Sequence, residues 1–220
     1  MRCRFDMSQV RHEGRAAEIQ RKTARISNFA TAMASETVLV RFYDRVLQEE
    51  AFAAAQRAAE ARAQGDTRAH AASVFVAIVT AASSAEFYLS EILAHLENVR
   101  LIDRVERDRV RSRDRVWKKF NALAKIFHRE IHDEPYYRPY CALVVLRNCL
   151  VHRSAEFLPL NQWPADLEDY REMIPHVAGD QLDWTSQLLD ADTARWAVEA
   201  ARSFVDAVHA IVPDPAGMGA

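Results

Sequence analysis

Apolar residues recur along most of this chain at intervals of three and four positions, the spacing that places them on one side of a helix. Long stretches with this spacing cover about 36–63, 67–98 and 138–153, and another runs from Asp190 or Asp192 to about Val212. A shorter stretch follows Ser112, its predicted cap, and ends near His132. No segment shows the alternation of a half-buried β-strand. The pattern predicts an all-α fold, an up-and-down bundle of four to five main helices with short satellite helices.

Small polar residues and charge runs mark the predicted helix boundaries. Ser35 is the expected cap of the first helix, Gly65 ends it, and Asp66 caps the next one. The second helix, about 67–98, is apolar on nearly all sides, which predicts a central position in the bundle. The dense alternating charges from Asp103 to Arg115 are typical of a solvated helix face.

The chain is predicted to hold one domain with an extension at each end. Residues 1–34 are polar and mixed in charge, which favours a disordered or loosely helical extension; an arm that grasps RNA is the alternative. Residues 35–213 form the expected helical domain, and 214–220 a C-terminal tail. Within the domain, prolines interrupt 154–189, which we expect to be irregular with one short helix.

The composition favours a cytoplasmic protein without a membrane span, but it indicates no binding partner. The formal net charge is −2, so only a local patch, and not the overall charge, would attract nucleic acid. The three cysteines form no C-x-x-C pair, and the first residues lack the apolar segment of a signal peptide. We therefore expect a cytoplasmic protein. The apolar run at 71–85 is short and rich in Ala, Ser and Thr, which favours a buried helix over a membrane span.

Polar side chains interrupt the third long helix at a position that requires an explanation. The aliphatic residues 143–146 are followed by Arg147 and Asn148, three apolar residues, His152 and Arg153. Burying such groups without partners costs on the order of several kcal/mol. Asn148 and His152 are four positions apart and lie nearly above one another on a helix, and the long Arg147 side chain can reach the same face. An imidazole, a guanidinium and an amide are thus expected to converge at one helix end.

This Arg-Asn-x-x-x-His string resembles the signature of HEPN domains, the helical "higher eukaryotes and prokaryotes nucleotide-binding" superfamily. In that motif an arginine, usually followed by a polar residue, precedes a histidine by four to six positions, late in a bundle helix. Arg147, Asn148 and His152 occupy these positions. The string lies inside an apolar helix of a chain predicted to be all-α, which is the setting that the family requires.

Two other segments extend the resemblance beyond the motif. The Ala-rich run at 81–88, which carries Glu86, looks like the second helix of the family. The segment at 194–200, which follows a proline-rich stretch, looks like many HEPN C-termini. The likeness covers about residues 35–213, although its specific part is confined to 147–152.

The resemblance implies a metal-independent endoribonuclease, in which the ribose 2′-OH attacks the phosphodiester and leaves 2′,3′-cyclic phosphate and 5′-OH ends. An imidazole can move the protons, and an arginine can stabilise the charge that builds on the phosphoryl oxygens. By this hypothesis His152 transfers the protons and Arg147 stabilises the transition state. Asn148 orients the histidine or holds a phosphate oxygen. Arg153 adds a phosphate contact or only complements the helix dipole.

The resemblance also sets expectations about partners and biological setting. Family members typically dimerise so that two motifs share one cleft, which predicts a homodimer through the motif helix. RNA is the expected substrate, and an antitoxin or another partner protein is a possible binding partner. The expected setting is a prokaryotic system for phage defence or a toxin–antitoxin pair. No cofactor is expected.

Two other functional interpretations remain open. One is a catalytically silent HEPN module that binds nucleotide, RNA or a partner protein. The other is an unrelated helical scaffold in which Arg147 and His152 pair with internal carboxylates, Glu86 being the leading candidate. Even in the nuclease, Glu86 either orients His152 or lies at a helix crossing.

Two further clusters leave alternatives of their own. His128 and His132 are four positions apart, a spacing that can bind zinc on a helix, but no third ligand is evident and a metal site is not expected. The aromatic and basic residues at 136–140 either stack on RNA bases or pack ahead of the motif helix.

Overall fold

The computed structural model describes residues 43–113, 115–152, 158–160, 162–179 and 182–212. Across these ranges the chain is helical and contains no β-strand, so the predicted all-α class is confirmed. The predicted cap Ser35 and the terminal segments 1–34 and 214–220 lie outside the described residues.

The described residues form eight α-helices and one short 3₁₀-helix. In chain order the α-helices are α1 (Tyr43–Gln64), α2 (Thr67–Asn98), α3 (Arg104–Arg111), α4 (Val116–Ile126), α5 (Tyr137–His152), α6 (Ala165–Glu168), α7 (Trp184–Leu188) and α8 (Ala191–Ile211). The 3₁₀-helix covers Arg171–Met173. Helix α2 packs against α1, α8 and α5, and it is therefore the centre of the bundle, as predicted.

A tight turn joins α1 to α2 at the predicted residues. Gly65 adopts a φ of +72°, a left-handed conformation that glycine tolerates without strain. The Asp66 carboxylate then accepts a hydrogen bond from the backbone N–H of Ala69 at 2.9 Å and caps α2. This turn brings α2 back along α1, and the two helices make the most extensive contact in the bundle.

Helix α2 is not buried on all sides, although its sequence is apolar almost throughout. Phe75 is 38% exposed and Phe87 is 49% exposed, so one side of the helix remains uncovered in the part of the chain that the structure describes. By length and composition α2 could cross a membrane, with a mean hydropathy of 1.5 over its most apolar window. Half of that window is buried inside the fold, which is also typical of the core helix of a globular protein.

The charged segment and the helix after it differ in part from the prediction. Helix α3 is mostly exposed, as expected, and begins with a capping box in which Asp103 and Glu106 each bond the other's backbone N–H. Ser112, however, ends α3 and does not cap α4. Helix α4 stops at Ile126 and does not reach His132, because the backbone turns at His128 with a φ of 57°.

The motif helix α5 is held by an aromatic cluster in the core. Tyr140 is fully buried and stacks on Phe204 of α8, with 3.6 Å between ring centroids. Phe120 of α4 packs edge-on against the same ring at 4.5 Å. Tyr137 is also buried, so both tyrosines belong to the core and cannot stack on RNA bases.

The proline-rich segment contains more regular structure than predicted. Its described residues include α6, the 3₁₀-helix and α7 in place of one short helix. Trp163 anchors this segment, because its indole N–H donates a hydrogen bond to the buried side-chain oxygen of Gln187 at 2.9 Å. Helix α8 then follows Asp190, one of the two predicted starting residues, which caps it, and ends at Ile211.

His95 of α2 makes the stability of the bundle depend on pH. It is 6% exposed, and neither ring nitrogen has a hydrogen-bond partner among the described residues. Burial disfavours the imidazolium and lowers the pKa of His95. The unfolded chain therefore binds this proton more readily, so the stability that neutral His95 contributes is complete above about pH 6.5 and is lost as the pH falls through the folded-state pKa.

We expect the free energy of unfolding of the wild type to fall more steeply between pH 7 and pH 5 than that of His95→Gln. Urea denaturation at several pH values measures both slopes. His132→Gln, which removes an exposed imidazole, should keep the wild-type slope. Equal slopes for the wild type and His95→Gln would contradict the assignment.

Candidate functional site

The C-terminal half of α5 forms one wall of an open groove of about 690 Å³, which we call the motif groove. Helix α5 contributes Arg147, Asn148 and His152 to it. The remaining polar and aromatic lining residues come from α2, the start of α4, and α6 with the turn that follows it: Glu86, Arg115, Trp117, Lys119, Asp166, Asp169 and Tyr170. The fold thus brings the motif residues to one surface that solvent can enter.

Asn148 and His152 are both exposed at the end of α5. Neither side chain has a hydrogen bond or an ion pair with another described residue. Their spacing of four positions places them on the same side of the helix, above the groove. The imidazole is therefore accessible to a ligand and is not tied up inside the bundle.

Arg147 is positioned differently from the other two motif residues. Its side chain is 17% exposed, and its guanidinium donates a hydrogen bond to the Glu86 carboxylate in an ion pair between α5 and α2. The Nε of Arg147 is buried and has no hydrogen-bond partner among the described residues. Of the two roles expected for Glu86, the structure shows the contact at a helix crossing, and Glu86 has no hydrogen bond to His152.

Tyr140 lies close to this ion pair, about two helical turns before Arg147. Burial raises the pKa of the Tyr140 hydroxyl well above its ordinary value, and the nearby Glu86 carboxylate raises it further. The charge of Arg147 acts in the opposite direction. Tyr140 is therefore a neutral, buried phenol that packs near the pair and exchanges no proton at physiological pH.

The charges along the motif groove are mixed in sign. The cations are Arg115, Lys119 and Arg147, and the carboxylates are Glu86, Asp166 and Asp169. A groove of this kind is not a general site for polyanions. Its cations favour phosphate groups, and its carboxylates favour N–H donors. The groove, like the whole chain, therefore carries basic and acidic residues in similar numbers.

The sequence prediction missed the contribution of α4 to the groove. Trp117 is one of the apolar residues in the stretch that follows Ser112; it is half-buried, and the Arg115 guanidinium lies over its ring at 5.1 Å from the centroid. The alternation of basic residues with a tryptophan in Arg115-Val116-Trp117-Lys118-Lys119 was the available signal. Only the fold reveals that this segment faces the motif.

The remaining candidate residues, and the buried Cys141, add no further site in the part of the chain that the structure describes. Arg153 lies outside the described residues. His128 and His132 do not share a helix face, since α4 ends before them, and the described residues contain no group of three or more potential metal ligands. Cys141 is buried, which raises the pKa of its thiol to about 11 and makes it a poor nucleophile at neutral pH.

No protein-family model, no curated protein and no solved structure matches this chain. The resemblance to HEPN domains therefore depends on the sequence features described above, namely the motif residues in their helical setting and the segments 81–88 and 194–200.

We expect the Glu86–Arg147 pair to hold α2 and α5 together. Glu86→Ala would leave a mostly buried guanidinium without its carboxylate, and it should lower the free energy of unfolding by about 1–3 kcal/mol. Glu86→Gln retains a hydrogen-bond acceptor and should cost less. Urea denaturation measures both, with the exposed Glu130→Ala as the matched control. A loss for Glu86→Ala no larger than that of the control would contradict the structural role.

Proposed function

We propose that this chain is a metal-independent endoribonuclease of HEPN type, which cleaves RNA by attack of the ribose 2′-OH on the adjacent phosphodiester. The observation that supports it is the joint position of Arg147, Asn148 and His152 on one open groove, with the His152 imidazole exposed to solvent. A histidine sealed inside the bundle would have excluded the proposal.

The proposed reaction needs only proton transfer and charge stabilisation from the protein. The 2′-oxygen bonds to phosphorus while the bond from phosphorus to the 5′-oxygen breaks, so one proton leaves the 2′-hydroxyl and one is added to the departing oxygen. His152 carries out a proton transfer, and Asn148 positions the phosphate or the imidazole. The products are a 2′,3′-cyclic phosphate and a 5′-OH end.

Arg147 has capacity for a substrate phosphate even while it pairs with Glu86. A guanidinium carries five N–H donors, and the carboxylate engages one terminal nitrogen of Arg147. In the proposal its other terminal nitrogen faces the phosphoryl oxygens, where charge builds in the transition state. Glu86 holds the guanidinium in place, which reduces the entropy lost when the substrate binds.

The proposal includes a homodimer in which two motif helices face each other. Each chain supplies one motif histidine, whereas two proton transfers take place in each cleavage event. The end of α5 is uncovered in the described part of the fold, with Asn148 and His152 exposed and Val151 42% exposed. A second copy placed there would bring two His152 rings to one cleft.

The second candidate function is a catalytically silent HEPN module that binds nucleotide, RNA or a partner protein. The ion pair between Arg147 and Glu86 favours it, because a guanidinium that ties two helices together has a structural reason to be present. Under either function we place the protein in a cytoplasmic defence or toxin–antitoxin system, with an antitoxin as possible partner. That setting follows from the resemblance.

We expect the wild-type protein to cleave RNA in the presence of EDTA. His152→Ala should lower the rate by roughly 10²- to 10⁴-fold, because it removes the proton carrier, and Arg147→Ala should also abolish most activity. The measurement is cleavage of total and synthetic RNA with analysis of the end groups. His132→Ala and Arg109→Ala, which remove an imidazole and a guanidinium outside the groove, are the matched controls.

Two outcomes of that experiment separate the alternatives. Absence of cleavage by the wild type on any RNA would support the silent module. If both motif variants lower the melting temperature and leave RNA binding and cleavage unaffected, the chain is a helical scaffold. Circular dichroism of each variant establishes that lost activity is not lost folding.

We expect Val151→Glu to convert the dimer to a monomer and to reduce RNA cleavage, because it places a charge where the two motif helices would meet. Sedimentation velocity and light scattering measure the oligomeric state. Val105→Glu on α3 is the control, since Val105 is 68% exposed and does not line the groove. A monomeric protein with full ribonuclease activity would contradict the dimeric site.

A further inference from the structure

The start of α4 forms one wall of the motif groove, and its aromatic and basic side chains have no role in the proposed reaction. The Trp117 indole packs partly against the core and also lines the groove. The Arg115 guanidinium lies over the ring at 5.1 Å from its centroid, and Lys119 lines the groove one turn further along the chain. An anchored aromatic face with two cations beside it is the composition of a binding site for single-stranded nucleic acid.

We infer that Trp117 stacks against one unpaired base of a bound RNA strand, while Arg115 and Lys119 contact the phosphates on either side of that base. This inference rests on the proposed function for the choice of RNA as ligand. Stacking on tryptophan tolerates any base, since every base presents a π-face. Trp117 therefore sets where the strand lies relative to His152 and does not select its sequence.

The half-buried state of Trp117 suits a stacking residue. Packing against the buried core limits the motion of the indole, so little entropy is lost when a base binds. The cation–π contact with Arg115 pre-positions a planar guanidinium that can cover the same base or hold its phosphate. The buried Tyr137 and Tyr140, which the sequence offered for stacking, are inaccessible to a base.

The size and charge of the groove favour a single strand over a duplex. A volume of about 690 Å³ lies within the range of roughly 300–1,000 Å³ that small-ligand sites occupy, which is room for a nucleotide or two. Asp166 and Asp169 line the same groove and would repel a second phosphate backbone. The same carboxylates can accept hydrogen bonds from the N–H groups on the edge of a base.

The inference is tested by the binding of a 2′-O-methyl RNA pentamer, which cannot be cleaved because the attacking hydroxyl is blocked. Fluorescence anisotropy of a labelled pentamer gives its Kd. We expect Trp117→Leu to weaken binding about tenfold or more, and Trp117→Phe, which keeps an aromatic face, to stay within a few-fold of the wild type. Trp196→Leu is the matched control, since Trp196 is also half-buried but lies on α8 outside the motif groove.

Salt dependence tests the two cations separately from stacking. We expect Arg115→Gln and Lys119→Gln each to reduce the slope of log Kd against log salt concentration by about 0.7, the value for one phosphate contact on a single strand. Arg109→Gln, an exposed arginine outside the groove, should leave the slope unchanged. Unchanged slopes in both groove variants would overturn the assignment of the phosphate contacts.

The arms of the experiment distinguish this inference from the proposed function. Pentamer binding that depends on Trp117, in a protein that cleaves no RNA, supports the stacking site and refutes the nuclease. Cleavage by a folded Trp117→Leu variant with wild-type Kd refutes the stacking site and leaves the nuclease. Equal affinity for a free mononucleotide or for a blunt duplex would overturn the assignment to a single strand.

Discussion

The close packing of small residues along α2 is the constraint on which the rest of the molecule depends. Ala77, Ala81 and Ala85 are almost completely buried on α2, and Ala54 and Ala58 are equally buried on α1. Side chains of this size let neighbouring helix axes approach closely, so α2 can contact α1, α8 and α5 at once. Glu86 directly follows this Ala-rich run, which fixes its carboxylate at the crossing with α5.

That crossing separates the motif into a fixed part and an accessible part. Arg147 meets Glu86 within the bundle, whereas Asn148 and His152 lie one position and five positions further along and are exposed. A catalytic site benefits from this division, because a pre-positioned cation costs little reorganisation while an exposed imidazole can reach solvent and substrate. A purely structural ion pair needs only the first part, so the ion pair favours the silent module, whereas the exposed imidazole favours the nuclease.

The motif groove carries charges of both signs, as does the whole chain, whose net charge is near neutral although the protein is proposed to bind RNA. Arg115 ends the charged segment as the N-cap residue of α4 and Lys119 lies in α4, while Asp166 and Asp169 come from the proline-rich segment. Attraction of this kind is local. It favours short unpaired strands whose phosphates can lie near the cations and whose base N–H groups can lie near the carboxylates. It would not produce the long-range attraction of a uniformly basic surface.

The sequence by itself determined the helical class, the turn at Gly65, the cap Asp66, and the approximate bounds of α2, α5 and α8, because periodicity and capping act between residues close in the chain. Asp190 and Asp192 were alternative starts of α8, and the structure shows Asp190 as its cap. It also predicted that the polar residues of α5 would converge at one helix end. Only the tertiary structure decided which carboxylate Arg147 meets, that α4 stops before its histidines, and that Trp117 faces the motif. The pairing of Arg147 with Glu86 joins residues 61 positions apart, and its geometry is set by how whole helices pack and not by any local pattern. The position of Trp117 likewise depends on the packing of α4 against α5, whereas the end of α4 follows from the left-handed backbone of His128, which no sequence pattern predicted.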